Sequence, residues 1–373
     1  FTTLLLPAAS LAAAPPAQLE PVVVTATFRP APAAARPGGI TVLDAAVVRE
    51  ASVVHLEELL PLVPSLSWAG ASSRPRYFQL RGIGELEQYQ GAPNPSVGFL
   101  VDDVDFSGLG MVATLHDLER IEVLRGPQGT RYGANALGGL VYVRSRAPEE
   151  RFGASADVLL GTRDTRAVGA TVTGPVEALD SAFRLAVQRH ESDGVSRNEW
   201  LGRATNARDE LTARARWRYV PSESLTLDAA LLHARLDNGY DAFAIDNSRT
   251  MQSDRPGEDS QRATGASLRA TYTGLDRAVL TLIAANAESD SVHAYDGDWG
   301  NPRLWAPYTY DFTYRSARDR TTRTLEARLA SADGAPLAWL VGAYGQELRE
   351  RIDERSAGTY VDPDPVAGFA FDA

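Results

Sequence analysis

The sequence predicts a mixed fold, a small α/β domain followed by antiparallel transmembrane β-barrel strands. A glycine-dense segment, Leu124 to Gly139 (LRGPQGTRYGANALGG), feeds directly into the strand-like LVYVRSR. Beyond Phe152, apolar and polar residues alternate with period two, as in strands that expose one apolar face. Short turns alternate there with long polar loops, the two rims of an outer-membrane barrel.

At 373 residues the chain exceeds one ordinary domain. It opens FTTLLLPAASLAAAPPAQ, which reads either as the latter part of a secretory signal peptide, cleaved around Ala13 to Ala17, or as an Ala/Pro leader. The chain has no cysteine, which removes disulfides and thiolate chemistry from consideration. Every basic residue is Arg, and the net charge of -11 argues against a nucleic-acid partner, whose phosphates need clustered cations. No run of about 18 apolar residues occurs, so a membrane role needs strands.

Glu20 to Thr27, EPVVVTAT, is a short β-prone run tethered by the linker FRPAPAAARPGG. Such a run suits strand addition to a partner's sheet edge, although three valines and a threonine also make an ordinary strand. From Ile40 to Arg146 the pattern is α/β. Asp44 caps a short helix through Arg49, and Ser52 caps a second, SVVHLEELLPLVP, which Pro61 and Pro64 stop. Strands are expected at Tyr77 to Leu80, Val97 to Val101, Ile121 to Leu124 and Leu140 to Arg144. In the glycine segment, Gly126, Gly129, Gly133 and Gly138 permit positive φ or close backbone approach, and Pro127 fixes a turn.

In the second half, Leu211, Ala213, Ala215, Trp217 and Tyr219 interleave with Thr212, Arg214, Arg216 and Arg218, giving one apolar and one cationic face. FRLAVQRH, ASLRATYT and RTLEARLAS repeat the pattern. Turns fall near 174–180, 221–224, 274–277 and 333–336, and long loops near 191–207, 237–261 and 290–319. The first outer connection, 161–164, is short. About nine strands result, each near the 9 to 11 residues that cross a bilayer when tilted. On pattern alone, a soluble sandwich or propeller with Arg-rich faces remains open.

Several chemistries are disfavoured. LRGPQGT lacks the Lys-Ser/Thr of a phosphate-binding loop. Asp102, Asp103 and Asp105 lack the spacing of a Ca²⁺ loop, and the five histidines show no ligand spacing. No catalytic constellation, metal site or cofactor is expected.

In order, EPVVVTAT, LEELLPLVPSLS, YFQLRGIG, PSVGFLVDDV and LERIEVLRGPQGTRYGANALGGLVYVRSR resemble the TonB-dependent outer-membrane receptors. The resemblance spans essentially the whole chain. It implies a signal-peptide remnant (1–17), a TonB box and linker (18–39), a plug domain (40–148) and the N-terminal part of the barrel (149–373). About nine of roughly 22 strands would be present, an incomplete barrel from a chain truncated at both ends. Arg131 and Ala134 depart from the family's usual residues without breaking the glycine framework.

The implied function is active import of a scarce nutrient, with a ferric siderophore as the leading cargo. Cobalamin, a carbohydrate, an aromatic compound or a non-energised barrel are the alternatives. The implied TonB box is Pro21, Val22, Val23, Val24, Thr25 and Ala26, with TonB and outer-membrane lipid as partners. A signalling member would carry a further folded domain ahead of that box, and only the leader precedes Glu20. Arg81 and Arg125 are candidates for ion pairs with barrel carboxylates, or for simple solvation in a wet lumen. Arg76, Gln88 and Tyr89 on the outward loops are candidate substrate contacts. So are Trp299 and Trp305 in the aromatic loop Tyr295 to Tyr314, whose rings fit either ligand stacking or an interfacial girdle.

Overall fold

The computed structural model describes residues 23–24, 31–32, 39–89, 94–129, 135–241, 243–364 and 370–372. The chain divides into two compact units between Pro37 and Gly38. In the first, β1 (Val23–Val24) pairs antiparallel with β2 (Ala31–Pro32). Val23 and Val24 are the part of the expected TonB box that is described. Pro21, Val22, Thr25, Ala26, the leader, Arg131, Gly133 and Ala134 lie outside the described residues.

The second unit begins with the α/β domain. β3 (Ile40–Asp44) leads into α1 (Ala45–Ala51), which Asp44 caps by accepting from the amides of Ala46 and Val47 at 2.8 and 3.0 Å. Ser52 is not the cap of the next helix. It closes α1 at φ 53°, and a 3₁₀ helix, Leu56–Leu62, starts from His55, whose Nδ1 accepts from the Glu57 amide at 3.2 Å. Pro61 lies inside this helix rather than stopping it, and the helix ends at Leu62.

β4 (Leu66–Ser67) pairs with β5 (Gln79–Leu80), shorter than the strand expected from Tyr77. A five-stranded sheet follows, in the order β3, β8 (Leu118–Arg125), β9 (Gly139–Ser145), β6 (Val97–Val101), β7 (Val104–Asp105). The glycine segment joins β8 to β9. Gly126 takes φ +95° in open space, a conformational need, whereas a Cβ on Gly139 would lie 2.5 Å from the Leu124 carbonyl oxygen and from Leu80 Cδ1.

The remaining strands form one antiparallel sheet. In order these are β10 (Gly153–Leu160), β11 (Arg166–Val176), β12 (Ser181–Ser192), β14 (Arg208–Ser222), β15 (Leu225–Tyr240), β17 (Gly257–Leu275), β18 (Ala278–Asp296), β19 (Thr309–Ser331), β20 (Leu340–Val361) and β21 (Ala370–Asp372). These are the nine expected strands plus a three-residue return, and β10 and β21 are not paired with each other. β13 (Arg197–Asn198) and β16 (Thr250–Met251) pair in the loops, and α2 (Pro302–Trp305) lies in the loop after β18. No helix among the described residues is long and apolar enough to cross a membrane.

The faces divide as the alternation requires. Leu185, Val187, Leu231, Leu268, Leu282 and Leu325 are exposed on the outside, while Arg184, Arg214, Arg216 and Arg318 are buried on the inside against the α/β domain. Strand length departs from expectation, because β17 to β20 run 19 to 23 residues. The bilayer sets only a minimum. On their loop-side halves the outward positions turn polar (Arg262, Asp290, Asp319), so the strands continue past the apolar belt.

One apolar core joins the two parts. Leu56, Leu59, Phe78, Phe99, Phe106 and Met111 of the domain pack with Leu232, Leu236, Ala263 and Ala287 of the strands. Gly265 on β17 makes room for Phe106, since a Cβ there would fall 2.3 Å from the ring's Cζ. Burying that ring is worth about 2 to 3 kcal/mol.

Candidate functional site

A cavity of about 980 Å³ opens at the long-loop end of the strands, between their inner faces and the tip of the α/β domain. Tyr89, Tyr240, His293, Tyr295 and Tyr314 give it an aromatic wall, and Glu58, His190 and Arg208 a polar floor. The Tyr89 and His293 rings stack at 3.7 Å with 5° between planes, and Tyr295 meets Tyr314 at 4.9 Å. Tyr89 donates its hydroxyl proton to Asp259 Oδ1, and the Ser73 amide donates to Asp259 Oδ2 at 2.5 Å. One strand carboxylate therefore holds two segments of the domain tip.

Beneath the floor lies Arg74, fully buried. Its Nε and Nη2 donate to the two oxygens of Glu210 on β14 at 2.8 Å each, and Nη1 donates to Glu57 at 2.5 Å. Glu210 is completed by Asn238 Nδ2 at 3.0 Å and His190 Nδ1 at 3.2 Å. Burial alone would lower the Arg74 pKa, but Glu210 and then Glu57 hold it above its ordinary value. Burial would likewise raise Glu57, and Arg74 reverses that shift. The network binds domain to strands and reaches the cavity through Glu58, His190 and Arg208.

A third tier sits near the short-turn end. Asp117 accepts from Arg184 Nη2 at 2.7 Å, Asp102 from Arg216 Nη1 at 2.7 Å, and Asp103 from Arg269 Nη2 at 2.6 Å. Burial would raise the Asp103 pKa, yet Arg269 brings it below its ordinary value.

His55 stands behind the Arg74 network. With its Nδ1 accepting from the Glu57 amide, its Nε2 donates to the Met111 carbonyl at 3.1 Å, so the ring is neutral. Burial foremost, then Arg74, lowers its pKa to about 4, against the opposing pull of Glu57 and Glu210. The unfolded chain takes up this proton near pH 6.5 and the folded one only near 4. Stability is therefore lost as pH falls from about 6.5 to 4, by roughly 3 kcal/mol for this group. Chemical denaturation at pH 7.0 and 4.5 measures the loss, and His55→Asn is expected to flatten it.

The expected site residues fall into distinct places. Tyr89 lines the cavity, while Arg76 and Gln88 are buried behind it. Gln88 accepts from the amides of Arg76 and Tyr77 at 2.6 and 3.1 Å, a bracing role. Trp299 and Trp305 do not line the cavity. Trp305 donates to Asp298 at 3.0 Å within its own loop, and Trp299 packs edge-on to Phe243, which does line it.

Among the described residues neither Arg81 nor Arg125 pairs with a strand carboxylate. Arg125 donates to the Pro64 carbonyl at 2.9 Å and Thr41 Oγ1 at 2.8 Å, both within the α/β domain, and Arg81 is exposed at φ 55°. The pairs that join the two parts mostly run the other way, with domain carboxylates on strand arginines, and Arg74–Glu210 in the expected sense. Sequence reasoning missed Arg74, Glu210, Asp117 and His293. The cationic inner face was the available signal for their partners.

An α/β domain seated in a set of transmembrane strands, with a ligand-sized cavity on its loop side, defines a plugged outer-membrane receptor. Residues 32–140 match the family model for the TonB-dependent receptor plug domain. The pesticin receptor of Yersinia pestis is 28% identical over 176 residues, which are 47% of this chain and 26% of that protein. The ferric enterobactin receptor PirA of Pseudomonas aeruginosa is 26% identical over 243 residues, 57% of this chain and 32% of that one.

Among solved structures, the ferric yersiniabactin uptake receptor FyuA from Yersinia pestis has a TM-score of 0.71 at 21% identity, covering 88% of this chain and 52% of that one. The siderophore receptor PiuA from Acinetobacter baumannii has a TM-score of 0.69 at 14% identity, covering 95% and 50%. These likenesses concern the fold. Residues 32–140 thus match the plug of the TonB-dependent receptors, and the chain shares the fold of outer-membrane siderophore receptors. It spans about half the length of the solved structures and about a quarter to a third of the curated relatives it matches.

Proposed function

We propose that the full-length receptor imports a ferric siderophore across the outer membrane, driven by TonB pulling on residues 20–27. The observation that carries this reading is the aromatic cavity at the loop side of a plug that is bolted to the strands by three tiers of polar contacts. A plug so fixed does not open by thermal motion alone, so transport needs an applied force and a segment on which to apply it. EPVVVTAT supplies that segment by strand addition. The relatives' names, which include ferric enterobactin and ferrioxamine B receptors, support iron chelates over cobalamin or carbohydrate. The protein acts by binding and passage rather than by chemistry on its cargo.

Deletion of residues 20–27 from the full-length receptor is expected to leave binding of a radiolabelled ferric chelate intact and abolish its uptake. Uptake at the wild-type rate would overturn TonB coupling. Induction under iron starvation, followed by growth on defined ferric chelates, tests the cargo.

A further inference from the structure

We propose that Asp296 and Asp298 share one proton, and that this carboxyl–carboxylate pair is a pH-sensitive latch on the loop between β18 and β19.

Asp296 ends β18, beyond its apolar stretch, and Asp298 lies in the loop that follows. Both are buried, at 1% and 2% exposure. Asp298 is well supplied with donors. Gly300 N and Trp305 Nε1 donate to its Oδ1 at 3.0 Å each, and Phe312 N donates to its Oδ2 at 2.9 Å. Asp296 is not so supplied. Its Oδ1 accepts from the Asp298 amide at 3.2 Å, its Oδ2 is buried without a partner, and the two carboxyl groups lie within hydrogen-bonding reach of each other.

Two carboxylates in such contact are costly when both are charged, because burial removes the water that would screen them. The cation packed nearby is committed elsewhere. Arg255, on the segment before β17, bonds Asp311 at the start of β19 at 2.6 Å. On that same segment Asp254, whose amide donates to the Gly300 carbonyl at 2.8 Å, adds a further acid, and burial and then Asp298 raise its pKa. Among the described residues no three carboxylate or imidazole groups are placed to hold a metal ion. A proton on Asp296 Oδ2 resolves the conflict, since it removes one charge and lets that atom donate to Asp298. Burial foremost, then the Asp298 charge, pushes the Asp296 pKa up to about 7, against the amides of Asp298 and Arg255.

The latched loop borders the cavity. Tyr295, next to Asp296 in the chain, lines it, and Trp299 packs edge-on to Phe243, which lines it too. With the loop open, Asp296 releases its proton near the ordinary value of 3.8, and with the loop closed only near 7. The closed form holds the extra proton between these values. Closure is therefore firmest in acid, weakens as pH rises toward 7 and levels off above it.

Hydrogen exchange on the full-length receptor, corrected for intrinsic rates, tests the latch at about pH 5.5 and about pH 8. Opening of residues 297–308 is expected to be about tenfold or more frequent at the higher pH. Asp296→Asn, whose side-chain amide donates to Asp298 at either pH, should keep the loop protected and shrink the difference to about twofold. The infrared band of a protonated carboxyl, present in the wild type in acid, should be missing from that variant.

Equal protection of the wild-type loop at both pH values would overturn the latch. So would an Asp296→Asn loop that opens at both, which would give Asp296 a structural role without a proton. Protection at the higher pH that EGTA removes would put a divalent cation between the carboxylates in place of the proton, and would overturn it too. None of these readouts involves the cargo, so the latch and the siderophore reading fail separately.

Discussion

Arg74→Ala in the full-length receptor is expected to produce the largest loss of stability of any single polar substitution in the plug, roughly 3–5 kcal/mol. The reason is what the change leaves behind. Glu210 would lose both of its 2.8 Å bonds from Arg74 while remaining buried, with Asn238 and His190 as its other close partners. Glu57 would keep only the looser contact with Arg208 at 3.2 Å. Glu210→Ala should cost less, because Arg74 keeps its 2.5 Å bond to Glu57 while losing both bonds to Glu210. The double replacement Arg74→Met with Glu210→Leu removes both charges together and should recover most of the loss, because a well-packed apolar pair avoids the desolvation that the ion pair incurs. Urea denaturation of the wild type, the two single variants and the double replacement makes the comparison. Recovery of less than about half the single-mutant loss would mean that Arg74 acts through packing of its stem.

The same network shows how far the sequence could be read. Element types and order were legible because local chemistry decides them: Asp44 caps α1, period-two alternation sets the inner and outer faces of the strands, and Gly126 marks a turn. The cap at Ser52 was misread because SVVHLEELL offers two plausible starts. Only the fold shows His55 reaching Met111, 56 residues away, and so taking the cap. Strand ends were misplaced for a related reason, since the bilayer limits the apolar stretch and not the pairing beyond it.

The site was less legible. Tyr89 was found, but its partners Asp259 and His293 lie 170 and more residues further on. Arg81 and Arg125 stood in the family's motifs and drew the plug–strand pairing to themselves. Among the described residues the pairing is made by Arg74 and by carboxylates, two of which (Asp102 and Asp103) sat in a cluster that suggested only a poor Ca²⁺ loop. Contacts between residues more than a hundred positions apart leave no local periodicity, so their chemistry was visible and their partners were not.

Those carboxylates carry the second large effect. The combined substitution Asp102→Asn, Asp103→Asn and Asp117→Asn is expected to unseat the turn-side end of the plug while leaving its fold in place. Asparagine keeps the size of aspartate, and at Asp102 its amide oxygen still accepts from the Ser145 amide, now bonded at 3.0 Å, so the plug's internal bracing persists. What disappears is the charge facing Arg216, Arg269 and Arg184, each of whose bonds is 2.6 to 2.7 Å long.

A charge-assisted bond of this kind contributes about 1.5–3 kcal/mol when screened from water. Asp117–Arg184 and Asp102–Arg216 are nearly dry and should lie at the upper end, whereas Asp103–Arg269 is partly wetted and discounted accordingly. The loss is directed at the plug–strand contact. Arg74, the aromatic wall and the shared apolar core remain, so chelate binding at the loop side should change by no more than about threefold. Passage should change far more, because a plug released at its inner end needs less force to move. Cells carrying the triple variant should become sensitive to antibiotics too large for general porins, and single channels should flicker open in planar bilayers. Wild-type resistance together with silent bilayers would show that the apolar core around Phe106 holds the plug without help from the charges.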